Sequence, residues 1–410
     1  MAADPARLLG DLRSLAALTA TDRGAQRVAW TDTWARAREW ERSLLAELPV
    51  EVEIDEAGNM WAVLPGERPE TLILGSHIDS VPDGGWLDGA LGLLGGLEVL
   101  RGIAAAGRPP LTVKLVDWAD EEGARFGLSL MGSSAVAGKL EPSFVAGLRD
   151  AQGVGAREAL GAHGVEIERM PDAHGRLADA VAYLELHIEQ GPVLESRDLP
   201  LAVVTGTYGV ERWAVRFQGQ AAHSGSTPME LRQDALAGAA RLALEVRGIA
   251  GRHGGVGTVG RIEAEPGIVT AVAGVATALV DQRHADARSL ATVHADAREA
   301  SRSIAAEEGL EVSWSPLFRI HPIPFDAGLV DAGAGIVAEL QGEEVRLPSG
   351  PLHDAAHVAD AGVPTVMLFV RSKRGLSHTR EEDTDDGDLA LALQALDRLA
   401  GRVLTSPSGR

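Results

Sequence analysis

In TLILGSHIDSVPDGGWLDGALG, residues 71–92, an apolar run gives way directly to His77, Asp79 and Asp88, set among glycines. A short run that is apolar on both faces reads as a buried strand. A histidine and an aspartate two residues apart, where such a strand stops, are either a polar turn or the ligands of a metal ion. The rest of the chain has to decide between them.

Working outward, strands and helices alternate, which predicts an α/β architecture. Leu8, Leu9, Leu12 and Leu15 have helical spacing, and residues 33–48 form a second helix closed by Pro49. VEVEI (50–54) and MWAVLP (60–65) read as a hairpin leading into the strand at 71–76. A helix over 90–105, a buried strand over 111–119 and another over 181–189 follow. Beyond about residue 206 the texture changes. ERWAVRFQGQ alternates like a half-exposed strand, and a long helix is expected over 229–248. Two further strands, a helix over about 288–308 and the strand EVSWS complete a strand–helix–strand–strand–helix–strand module. From about residue 320 the buried-strand texture returns in VPTVMLFV (363–370), before a closing helix near 386–403. The expectation is a first domain built from residues 1–206 and 320–410, with a smaller α+β domain, 207–319, inserted into it.

Composition narrows the function. A chain of 410 residues with 45% hydrophobic content can bury a large core and is long enough for two domains. A formal net charge of −21 argues against a nucleic-acid partner, since no basic surface is available to displace phosphate counterions. The absence of cysteine excludes disulfides, thiolate metal sites and cysteine nucleophiles. The N-terminal MAADPARLLGDLRSL lacks the features of a signal peptide, and no apolar run approaches membrane-spanning length, so a soluble, cytoplasmic protein without a membrane partner is expected.

Four polar clusters stand at or near the ends of apolar strands: His77, Asp79 and Asp88; Asp120, Glu121 and Glu122; His187 in ELHIEQG; and His378 in RGLSHTREED. Taken singly, each is most simply a solvated loop or a structural histidine. Ligands of α/β sheets gather beyond the carboxyl ends of the strands, so the four clusters can converge. Imidazole and carboxylate without thiolate suit zinc or a similar divalent ion, and a bridging carboxylate can hold two ions about 3.5–4 Å apart.

GSHIDSVPDGGWLDGALG, DWADEEGARFG, LELHIEQGPVLE, AAHSGSTPM, PSGPLHDA and GLSH together resemble the amidase/hydantoinase/carbamoylase branch of the dimetal aminoacylase-type hydrolases. That branch includes N-carbamoyl-L-amino-acid hydrolases, β-ureidopropionases and allantoate amidohydrolases. The resemblance implies a mixed-sheet catalytic domain with an inserted dimerisation or lid domain. It implies two divalent ions, zinc or else manganese, cobalt or nickel. His77, Asp88 and His187 look like the ligands of one ion, and Asp88, Glu122 and His378 like those of the other, with Asp88 as the bridge. Asp79 would accept the ring N–H of His77 and fix its tautomer. Glu121 resembles the family's general base, and His223 its oxyanion donor. Gln190, Arg283, His353 and Thr270 fall at substrate-contact positions, with Arg283 gripping a substrate carboxylate through its planar fork. Two departures stand out: Thr270 replaces the family's usual asparagine, and Pro351 and Leu352 replace small residues before His353. Asp120 receives no role, and His163, His174, His253, His294 and His357 are read as surface or structural residues.

The resemblance thus implies hydrolysis of a linear C–N amide bond in a ureido acid with a free carboxylate. An N-carbamoyl-L-amino acid is the leading substrate, giving amino acid, carbon dioxide and ammonia; a β-ureido acid or allantoate is the alternative. An aminoacylase or dipeptidase is the rival within the same chemistry, and a metal-free binding protein the rival outside it. A homodimer pairing through residues 207–319 is expected, with His223 and Arg283 reaching the metals from the same or a partner subunit.

Overall fold

The structure, a computed structural model, describes residues 3–405. In chain order, helices α1 (Pro5–Thr19) and α2 (Asp32–Leu45) precede strands β1 (Glu51–Ile54), β2 (Met60–Leu64) and β3 (Arg68–His77). Helix α3 (Ala90–Ala106), β4 (Leu111–Trp118), β5 (Ala180–Ile188) and β6 (Leu201–Thr207) follow. The next stretch holds β7 (Gly209–Gln218), α4 (Ala235–Arg252), β8 (Val256–Glu265), β9 (Val275–His284), α5 (Ala287–Glu308) and β10 (Glu311–Ile320). The chain closes with α6 (Ala327–Gln341), β11 (Thr365–Val370) and α7 (Asp386–Thr405). Two compact units result: one runs to Thr205 and resumes at Phe325, and the other is Gly206–Pro324. Among the described residues, no helix is long and apolar enough to cross a membrane.

The first unit is a mixed α/β fold whose sheet runs in the order β6–β11–β5–β3–β4–β2–β1. The four central strands β11, β5, β3 and β4 are mutually parallel, so their carboxyl ends share one edge. The flanking strands β6, β2 and β1 pair antiparallel. Helix α3 is largely apolar and buried along Ala90–Gly102, as a helix enclosed by other elements must be. Its buried leucines, Leu91, Leu93, Leu94, Leu97 and Leu100, each contribute about 1.5–3 kcal/mol relative to exposure. Glu98, buried in this helix, pairs with the fork of Arg7, Nε and Nη2 each 2.7 Å from its carboxylate, and with Arg101 of the same helix at 3.1 Å. The Arg7 pairing fastens α1 to α3.

The second unit is an antiparallel sheet in the order β8–β9–β7–β10. Burial alternates along β9, and Val215, Phe217, Ala276, Ala278 and Val280 join residues of α4 and α5 in one core. The long helix expected at 229–248 starts later and runs over Ala235–Arg252. The Asp234 carboxylate accepts the N–H groups of Leu236 and Ala237 at 3.0 and 3.2 Å and so caps the helix there. Met229–Leu231 is instead a single 3₁₀ turn, followed by an extended Arg232.

Candidate metal centre

His77 is the last residue of β3, Glu121 and Glu122 follow the end of β4, and His187 is next to last in β5. His378 lies beyond the end of β11. The parallel core of the first unit thus delivers all four clusters to one edge. Gly89, at φ +65°, starts α3 against His77; a Cβ there would sit 2.3 Å from the imidazole, so the ring's position requires glycine.

Two triads form at this edge, each with ligand atoms within 4.8 Å of one another: His77, Asp88 and His187; and Asp88, Glu122 and His378. Asp88 belongs to both. Its Oδ1 lies 3.2 Å from His187 Nε2 and 3.8 Å from His77 Nε2, while its Oδ2 lies 3.4 Å from His378 Nε2. His378 Nε2 is also 3.4 Å from Glu122 Oε2. Glu121 belongs to neither triad, although its Oε2 comes within 3.7 Å of His77 Nε2.

The donor set fits a cation. His77 Nδ1 contacts the carbonyl oxygen of Asp79 at 3.2 Å, and His187 Nδ1 that of Ile188 at 2.9 Å. A carbonyl can only accept, so both Nδ1 atoms carry protons and each ring turns its Nε2 into the cluster. Those two Nε2 atoms and Glu122 Oε1 are buried without a hydrogen-bond partner among the described residues. Nitrogen and carboxylate oxygens facing one another at such distances need a positive charge between them, a proton on Nε2 or a metal ion. Electrostatics agree. Burial pushes the Glu121 carboxyl well above its usual range; His77 opposes the rise, and Asp354, Glu122 and Asp79 add to it. Burial and then Asp88 push Glu122 to about 7. His378 rises to about 9 through its hydrogen bond with Asp88. Glu121 and Glu122 resist their own negative charge in this way and would gain from a nearby cation.

A third group, Glu185, His187 and His353, is equally compact but already satisfied by the protein. Glu185 accepts from Ser76 at 3.1 Å and from Tyr183 at 2.9 Å, and His353 Nε2 lies 3.0 Å from Ser349 Oγ.

The other predicted residues have the following partners in the structure. The Asp79 atom nearest His77 Nδ1 is its backbone carbonyl; the carboxylate is 3.6 Å away and accepts the N–H groups of Glu121 and Glu122, each at 3.2 Å. Asp79 therefore orients the Glu121–Glu122 turn as well as the histidine. Gln190 directs its amide at Asp88 Oδ2 (2.8 Å) and Ser377 (3.0 Å), so it serves the cluster itself. His353 is only 2% exposed and packs its ring 4.4 Å from that of His187, behind the first triad. The Arg283 fork closes on Asp281, with Nε 2.7 Å from Oδ1 and Nη2 3.1 Å from Oδ2. Asp120, left without a role, is buried and accepts from Trp30 Nε1 at 2.7 Å; burial and Asp79 push it to about 8.

His223, Thr270 and Arg283 belong to the second unit. His223 is exposed, and Gly225 N–H donates to its Nδ1 at 3.1 Å, leaving Nε2 as the protonated nitrogen of the neutral ring. Its strand partner is Ala271, and Ser224 N–H donates to the Thr270 carbonyl at 2.9 Å.

Sequence reading passed over Arg27 and Glu382. Both are at most 2% exposed. The Arg27 Nε donates to the Ile78 carbonyl at 2.7 Å, and the charges acting on its guanidinium are those of Glu382, Asp79, Asp88 and Glu122. Glu382 sits in the charge run TREED, whose composition resembles a solvated loop. No local pattern marks either residue as buried.

A parallel-strand edge thus bears two histidine–carboxylate triads that could hold metal ions, with a spare carboxylate beside them. Residues 73–402 match peptidase family M20/M25/M40, to which the chain belongs. It is 34% identical over 379 residues to an N-carbamoyl-L-amino acid amidohydrolase of Geobacillus stearothermophilus, covering 91% of this chain and 92% of that one. It is 33% identical over 381 residues to the allantoate amidohydrolase of Escherichia coli, covering 91% of each. Among solved structures, an amidase of the hydantoinase/carbamoylase family from Burkholderia multivorans superposes with a TM-score of 0.90 at 33% identity, covering 99% of both chains. The chain is an amide-hydrolysing enzyme.

Proposed function

We propose that the enzyme hydrolyses the linear amide bond of a ureido acid, foremost an N-carbamoyl-L-amino acid, releasing the amino acid, carbon dioxide and ammonia. The observation that carries the reaction type is the spare carboxylate: Glu121 stands beside two triads that share Asp88 and is a member of neither. The identities to a carbamoyl-amino-acid amidohydrolase and an allantoate amidohydrolase support the substrate class. A β-ureido acid or allantoate is the alternative within that class.

His77, Asp88 and His187 would hold one divalent ion, and Asp88, Glu122 and His378 the other; imidazole and carboxylate donors favour zinc, with manganese, cobalt and nickel as alternatives. Such ions polarise a carbonyl and lower the pKa of water towards about 7. Glu121 takes the proton of the attacking water and returns it to the departing amino-acid nitrogen as the C–N bond breaks. The carbamate left behind decomposes to carbon dioxide and ammonia. Asp79 keeps Glu121 in reach through the backbone of its turn.

His223 donates its Nε2–H to the developing oxyanion. His223→Ala is expected to lower kcat by about 10²–10³-fold while bound metal stays unchanged; metal analysis beside steady-state kinetics checks both. Arg283, held flat by Asp281, binds the substrate carboxylate. Arg283→Ala is expected to raise KM by about 10–100-fold for carboxylate substrates, the scale of a charged hydrogen bond, and to spare their amide analogues. Equal losses on both kinds of substrate would assign Arg283 to holding the sheet.

The decisive experiment measures ammonia release from N-carbamoyl-L-amino acids, β-ureido acids and allantoate, and cleavage of N-acyl amino acids and dipeptides, before and after chelation. Hydrolysis of ureido acids, abolished by chelator and restored by a divalent ion, is expected. Cleavage of dipeptides or N-acyl amino acids alone would favour the aminoacylase or dipeptidase reading. Binding without turnover would favour a binding protein. We further propose a cytoplasmic homodimer that pairs through the Gly206–Pro324 unit, whose sheet leaves the outer edges of β8 and β10 without a strand partner among the described residues; light scattering tests the dimer.

A further inference from the structure

We infer that Glu382 is the positioning residue that fixes the geometry of the second cation site, an inference that rests on the two-ion reading above. Asp88 and His378, two of the three groups of that site, come from opposite ends of the chain, one in the turn after β3 and the other in the loop after β11. Glu382 shares the loop of His378, its N–H donating to the Thr379 carbonyl at 3.0 Å. Its side chain crosses to the other turn, where Oε1 accepts the N–H groups of both Leu87 (3.0 Å) and Asp88 (2.9 Å). The Ser377 hydroxyl, beside His378, lies 2.8 Å from Asp88 Oδ2 and 3.3 Å from Glu382 Oε2, so it donates to the bridging aspartate. One buried carboxylate thus links the backbone of Asp88 to the loop that presents His378.

The fold makes room for this link. A Cβ on Gly85 would lie 2.1 Å from Glu382 Cδ and 2.1 Å from Oε1, so the carboxylate's seat is open only because residue 85 is glycine. Burying a carboxylate costs several kcal/mol unless its hydrogen bonds offset the loss of water. Two backbone donors on one oxygen offset part of that cost and tie together the turn and the loop in which His378 Nε2 lies 3.4 Å from Asp88 Oδ2. The first site depends on Glu382 through Asp88 alone, because His77 and His187 are carried by strands. The second depends on it through both Asp88 and His378. Weakening the link should therefore act unequally on the two ions.

The test titrates metal-free protein with zinc against a chromophoric chelator, resolving two binding steps. Glu382→Ala is expected to weaken the second step by about 10–100-fold, the usual scale for groups that orient metal ligands, and the first step by less. Glu382→Gln keeps an oxygen acceptor for both N–H groups and should restore near-native binding. Gly85→Ala, with Glu382 intact but displaced, should reproduce the selective weakening. This pair decides the question if Glu382→Ala does not fold. Two native steps in the Glu382→Ala and Gly85→Ala proteins, or equal weakening of both steps, would overturn the role of Glu382 and leave the two-ion reading standing. A single step in the unaltered protein would overturn both.

Discussion

Glu121→Gln is expected to leave two ions bound per chain and to cut turnover by about 10²–10⁴-fold, the usual range for a general acid–base group. The substitution removes the acidic proton site and keeps almost the same shape. Glu121 is only 7% exposed, so solvent buffer cannot easily take its place. Its turn is held by Asp79, which accepts the backbone N–H of Glu121 irrespective of the side chain, so Glu122 should stay in position. The check is metal analysis beside kcat on a ureido acid. Near-normal turnover would refute the proton-transfer role. Loss of metal together with activity would place Glu121 among the ligands.

Asp88→Ala should do the reverse, emptying at least one site and abolishing activity through loss of metal. Each carboxylate oxygen serves a different triad: Oδ1 faces His77 and His187, and Oδ2 faces His378. Deleting the side chain would leave histidine nitrogens that already lack hydrogen-bond partners with one fewer ligand to share a cation. The backbone N–H of residue 88 still reaches Glu382, so the turn itself should persist. Equilibrium dialysis against zinc, with circular dichroism as a folding control, measures the effect. A folded Asp88→Ala protein that keeps two ions at native affinity would show that Asp88 is not the bridge.

The α/β alternation, the change of texture in the middle of the chain and the apolar strands were legible in the sequence because they depend on local periodicity. Buried strands read as short apolar runs, half-exposed ones alternate, and helices repeat every three or four residues. The residues of both triads were legible for a related reason. Each sits at or just beyond the end of such a strand, where polar residue types contrast with an apolar run, and together they match a family pattern. Helix α4 shows the limit of periodicity. Met229 and Leu231 continue the apolar spacing, yet they are exposed, because Asp234 caps the helix three residues after Leu231.

The sequence by itself determined which residue types reach the carboxyl edge of the sheet, and hence the kind of chemistry available there. Only the tertiary structure decided how those residues share their hydrogen bonds. It turned the Asp79 carboxylate towards a backbone turn, gave the fork of Arg283 to Asp281, set His353 behind His187 and buried Glu382 out of a charge run that looks solvated. The reason is physical. A side chain's chemical type is a property of its own residue, whereas its partner is whatever lies within about 3 Å once distant segments meet. For Glu382 those partners, Leu87 and Asp88, lie nearly three hundred residues away along the chain, where no local pattern can announce them.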